Sequence, residues 1–275
     1  MASIEPIPNE LTKIIPAPQP SPEPEQVKAD TEEQKDLAED SGRIFQAVGV
    51  ITGKVNFINE NQSTVSIGRK EYPLFYIPRK QRAFEALNKE IEASGSPTQR
   101  LIVYPKAIHF PRKDQLSQLA FQLVGFDKGR EAEAVSGELQ DMEFKLSGLW
   151  QFIPVCPTPC ISVFRNFTKE RLEYIKTADP TKKVKFMKAS HLPLLWKDAP
   201  IKPFRFNPKA THDQGHPAFV EIKAKFLPAR DVFGFVEQLA EPTETAPKFL
   251  KASKKDKALV QQTKTKPKPK TKTKS

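Results

Sequence analysis

The chain has 275 residues, and its 44 Lys and Arg outnumber 33 Asp and Glu to give a net charge of +11. That length allows one large domain or two of about 100–130 residues, and the basic excess points to a polyanionic partner. No apolar run nears the ~18 residues of a membrane span, two cysteines cannot form a disulfide framework, and 26 prolines against 11 glycines argue against glycine-rich nucleotide loops.

The charge is unevenly distributed. Residues 1–42 hold ten acids against three lysines, a balance of −7, together with seven prolines. Pro16, Pro18, Pro20, Pro22 and Pro24 alternate, which prevents a helix and favours extended chain. The expectation is a disordered, acidic arm suited to docking a protein partner, and able to compete with nucleic acid for the basic surface. Met1 to Pro8 carry neither the positive start of a signal peptide nor the arginines of a transit peptide, so the cytoplasm is the expected compartment, with no membrane association.

From residue 43 the pattern becomes short, β-branched and aromatic. Phe45–Ile58 reads as a long strand bent at Gly53, Ser63–Ile67 as a second and Glu71–Ile77 as a third. Over Arg79–Ala93 the period changes: Ala83, Phe84, Leu87 and Ile91 fall at helical spacing, and Ser94 to Pro97 end that helix. Arg100–Phe110 and Leu119–Phe126 are two further strands. Residues 128–142, rich in Gly and charge, read as a linker.

The pattern then recurs. Ile51–Ile58 matches Leu146–Ile153 in residue type, with Gly53 opposite Gly148. Tyr72–Tyr76 matches Leu192–Trp196, and Phe121–Val124 echoes Phe233–Val236. Ala107, Pro111 and Asp114 echo Ala224, Pro228 and Asp231. Four segments in the same order imply a duplicated module. The second copy departs from the first through a basic insertion, Asn166–Ser190, with a short helix expected over Thr168–Thr177. A Pro- and aromatic-rich stretch, Lys197–Lys209, stands where its helix would be.

The order β-β-β-α-β-β resembles the OB fold, a five-stranded barrel. The expected architecture is therefore mainly β: module 1 over 43–127, module 2 over 143–242, and disordered tails at 1–42 and 243–275. From residue 246 the chain carries eleven lysines against one acid, a balance of +10, which leaves +8 for residues 43–245. Removing residues 246–275 is expected to weaken non-specific binding and to leave the body folded.

OB-like barrels that hold single strands combine cations for phosphates with aromatics for base stacking. The candidates in this chain are Lys54, Arg69, Lys70, Tyr72, Tyr76 and Arg79 in the first module. In the second they are Arg165, Lys183, Lys185, Trp196, Lys202, Phe204, Arg205 and Phe206. The alternation over Lys202–Phe206 is the sharpest local signal.

Cys156 and Cys160 make a C-x3-C, and His212 and His216 an H-x3-H, but 51 residues separate the pairs and prolines stiffen the first. No metal or other cofactor is expected from them. His109 and His191 have no sequence-local partner that would mark a general base, so no enzyme is expected. The function expected is non-catalytic binding of single-stranded DNA or RNA; the alternative is an adaptor or assembly factor that uses barrels and charged tails to hold proteins.

Overall fold

β1 (Gln46–Asn59) is fourteen residues long because it serves three partners. Its first residues pair with β6 (Glu143–Gln151), Gly49–Lys54 pair with β4 (Thr98–Ile108), and Lys54–Asn59 pair with β2 (Gln62–Ile67). The computed structural model describes residues 42–59, 62–110, 117–127 and 135–265, all within one unit. The acidic arm and the last ten residues lie outside the described residues, as do Pro111 and Asp114 of the repeat.

β2 pairs antiparallel with β3 (Lys70–Phe75), β3 parallel with β5 (Gln118–Asp127), β5 antiparallel with β4, and β4 antiparallel with β1. These pairings close a five-stranded barrel, compatible with an OB-like fold. Helix α1 (Gln81–Ser94) follows a 3₁₀ turn at Pro78–Lys80 and buries Leu87 in the core. It stops at Gly95, whose φ of 62° is left-handed and whose N–H caps the Ile91 carbonyl.

After the short helix α2 (Val135–Glu138), β6 pairs with β7 (Cys160–Val163) and β10 (Phe219–Leu227). β7 pairs with β9 (Ser190–Leu195), β9 runs parallel to β11 (Val232–Thr243), and β11 pairs with β10. The one parallel contact in each circuit falls at repeat-equivalent residues: Leu74 faces Phe121, and Leu194 faces Phe233. No helix stands between β9 and β10, where the sequence offered none.

One core runs through both circuits. Phe144 of β6 lies among Phe121 of β5, Phe226 of β10 and Phe233 of β11, with ring centroids 6.3, 6.4 and 5.0 Å away. Lys70 and Tyr72 of β3 both reach Asp231 in the β10–β11 turn, at 2.7 and 2.8 Å.

The basic insertion holds β8 (Arg165–Asn166), the expected helix α3 (Lys169–Thr177) and an additional α4 (Pro180–Phe186). Thr168 caps α3 by accepting from the Arg171 N–H. Asp179 caps α4, with Pro180 at its first position, an arrangement readable in the sequence as an Asp-Pro helix start.

The expected tail from residue 243 begins later. β12 (Phe249–Leu250) pairs with β8, and α5 (Lys254–Thr265) follows, started by reciprocal hydrogen bonds between Ser253 and Asp256. Leu250 and Ala252 pack with Met187 against Leu172, Ile175, Val184 and Phe186. Apolar burial outweighs the lysine-rich composition here. Deletion of residues 246–275 is thus expected to destabilise the body: losing Phe249 and Leu250 should lower Tm by about 5 °C or more in a thermal melt. An unchanged Tm would mean that β12 adds nothing. Deletion of 266–275 spares every described residue.

Candidate functional site

A cleft of about 240 Å³ opens where the start of β1 and β4 face β7, β8 and the approach to β9. Phe45, Gln46 and Ala47 line it from β1, Tyr104 and Lys106 from β4, Phe164 to Asn166 from around β8, and Arg171 from α3, with Lys188 and Ser190 beside β9. Alternation along β4 puts Tyr104 and Lys106 on one face.

The cleft wall is tied in place. The Asn166 side chain accepts from Phe45 N–H (2.7 Å) and donates to Phe45 C=O (2.8 Å), which imitates a strand pair. Phe45 is buried edge-on to Phe164, Phe219 and Phe249. Arg165 lies over the Phe186 ring at 4.6 Å and donates from Nε to the Phe186 carbonyl. Arg171 donates to the Asn166 carbonyl at 2.8 Å.

Lys106, Arg165, Arg171 and Lys188 thus bring four cations to one cleft. Among the described residues, no ion pair joins any of them to a carboxylate. Burial, then the charges of Arg165 and Lys188, hold the Lys106 ammonium below its usual range. Burial and then Arg171 do the same to Arg165. Cations that depress one another in this way are relieved by an incoming anion. Tyr104, 39% exposed, offers an aromatic face at the rim.

Of the residues singled out in the sequence, Arg165 alone lines this cleft. Tyr72 is 4% exposed, and burial and its bond to Asp231 push its phenol upward, so its ring is not open to a base. Lys70 is ion-paired to the same carboxylate. Tyr76 stacks on Phe84 at 4.3 Å, and Trp196 lies flat on Phe235 at 4.6 Å. Phe204 is half-buried, its N–H and C=O tied to Trp150 and Phe152. Arg205 covers Phe152 at 3.8 Å, whereas Phe206 is 67% exposed. Lys54, Arg69, Arg79, Lys185 and Lys202 are exposed and Lys183 half-exposed, none of them at the cleft.

Sequence reasoning missed Lys106, Arg171 and Lys188 because each stands on a different element. His212 and His216 lie exposed in the loop before β10, away from the buried Cys156 and Cys160. Among the described residues no three His, Cys, Asp or Glu side chains gather as a metal site, and no helix is long and apolar enough to cross a membrane. No family model and no curated protein sequence matches this chain.

Proposed function

We propose that the protein binds nucleic acid, as single-stranded DNA or RNA, through two tandem OB-like barrels with a phosphate-binding cleft between them. The repeat-equivalent parallel pairs, Leu74 with Phe121 and Leu194 with Phe233, support reading the second circuit as a second barrel. The observation that carries the function is the group of four cations, Lys106, Arg165, Arg171 and Lys188, without a carboxylate partner among the described residues. Phosphates would sit among these cations and a base on Tyr104. Such a site binds without catalysis, and a cytoplasmic setting fits a chain with two free cysteines.

Fluorescence anisotropy of labelled single strands with the full chain, across a salt series, tests this reading. Two or three phosphates in the cleft give a log–log salt slope of about −1.5 to −2, at roughly −0.7 per phosphate of a single strand, and other basic residues steepen it. No binding at about 50 mM salt, or an affinity indifferent to salt, would end the proposal.

A further inference from the structure

The β6–β7 loop brings two thiols together against a histidine of the closed barrel. Cys156 and Cys160 are both free and buried, at 9% and 0% exposure. A turn from Cys156 N–H to the Ile153 carbonyl (3.2 Å) sets the first, and Cys160 opens β7, its Sγ 3.4 Å from the Thr158 carbonyl. The Cys160 thiol hydrogen-bonds the Cys156 sulfur, and His109 hydrogen-bonds that same sulfur.

His109 follows β4, and its Nε2 lies 2.7 Å from the His191 carbonyl. A carbonyl only accepts, so Nε2 carries a proton and Nδ1 is the nitrogen available to Cys156. Next in the cluster, Gln151 donates to Ser162 Oγ, whose hydroxyl faces His191 Nδ1 at 2.8 Å. Burial, then the charges of His109 and Lys188, hold His191 down at about 4, so it stays neutral. The charged groups acting on the cluster are therefore His109 and Lys188.

The Cys160 hydrogen bond, helped by His109, pulls the Cys156 thiol down to about 5 against the effect of burial. The same contact, with burial, pushes Cys160 strongly upward, and the contact with Cys156 raises His109. Near neutral pH this is a thiolate beside an imidazolium, with a protonated thiol in reach. That is how a nucleophilic cysteine and its resolving partner are placed, and it differs from an inert pair of neutral core thiols.

We propose that Cys156 and Cys160 form a redox site which a peroxide oxidises to an intramolecular disulfide. The Cys156 thiolate attacks a peroxide oxygen and the O–O bond breaks. One oxygen stays on sulfur as a sulfenic acid; the other takes a proton and leaves as water. The Cys160 sulfur then attacks the Cys156 sulfur, forming S–S and breaking S–O. The hydroxyl departs as a second water with the Cys160 proton. Two thiols supply the two electrons that reduce the peroxide, and a dithiol reductant reverses the change.

Hydrogen peroxide at stoichiometric amounts, added to the full chain and followed by non-reducing peptide mass mapping, tests the site. The expected product is the Cys156–Cys160 peptide lacking two hydrogens and restored by dithiothreitol. In Cys160→Ser, dimedone should instead trap a sulfenic acid on Cys156. Iodoacetamide at pH 6 should label Cys156 of the unoxidised chain about 5-fold faster than a cysteine peptide, because its larger thiolate fraction outweighs its lower nucleophilicity. His109→Gln should lower that rate, with circular dichroism confirming the fold. A Cys156 no faster than the peptide, or peroxide products limited to sulfinic acid and intermolecular disulfides, overturns the proposal.

Discussion

Phe144→Ala is expected to cost about 3–5 kcal/mol and to unfold both strand circuits in one transition. Phe144 has no exposed surface and sits among the rings of Phe121, Phe226 and Phe233, so truncation leaves a void that rigid aromatic neighbours cannot close. β6, its own strand, is the one that pairs with β1, and Gly49 of β1 lies directly against the ring. A methyl group at Gly49 would stand 2.1 Å from Phe144 Cδ1, so Gly49→Ala alone is destabilising by overpacking. Combined with Phe144→Ala, that methyl falls into vacated space, and the double variant should be clearly more stable than the sum of the two losses predicts. Urea unfolding monitored at Trp150 and by far-ultraviolet circular dichroism measures all three. A loss under about 1 kcal/mol, or two separated transitions, would show that the circuits fold independently and that this ring does not join them.

What was readable in the sequence was read through backbone geometry. The repeat paired Gly53 with Gly148, and both glycines turn out to face the neighbouring strand at close range. A Cβ at Gly53 would lie 2.7 Å from the Ser66 carbonyl, and one at Gly148 2.6 Å from the Ser162 carbonyl. The first strand of each circuit bends onto the second there, and no side chain fits. Likewise, matching Tyr72–Tyr76 to Leu192–Trp196 placed Leu74 and Leu194 in one register, and each borders the parallel partner strand. Composition misled at the C-terminal end: lysines suggested a tail, while Phe249, Leu250 and the Ser253–Asp256 cap carry the local signal for β12 and α5. The cleft was illegible for a different reason. Lys106, Arg165, Arg171 and Lys188 come from β4, β8, α3 and the approach to β9, so only the tertiary pairing assembles them. Clusters strung along the chain, such as Lys202–Phe206, are visible locally, but there Arg205 and Phe204 are engaged in holding the loop to Phe152 and Trp150.

The double charge reversal Lys106→Glu/Lys188→Glu should weaken single-strand binding about 100-fold at roughly 0.1 M salt, since two charge-assisted phosphate contacts contribute about 1.5 kcal/mol each at the low end. These two lysines are chosen because Arg165 packs on Phe186 and Arg171 binds the Asn166 carbonyl, so altering either arginine would also disturb the wall. Removing two positive charges and adding two negative ones gives Arg165 and Arg171 intramolecular partners, which cancels the attraction of the cleft rather than merely reducing it. The two carboxylates also relieve the mutual repulsion that depresses Lys106 and Arg165, so thermal stability should be held or slightly raised. Affinity and stability therefore move independently, which separates loss of a binding surface from loss of the fold. The salt slope should fall by about 1.4, the share of two single-strand phosphates. Lys54→Glu/Arg69→Glu, on exposed residues outside the cleft, serves as the matched control and should change affinity less than about 3-fold in the same titration. If instead the control loses as much as the cleft variant, phosphates are held by diffuse charge and the cleft is not the site. If the control alone loses affinity, the binding face lies along β1 and the β2–β3 turn, and the four cations serve another anion.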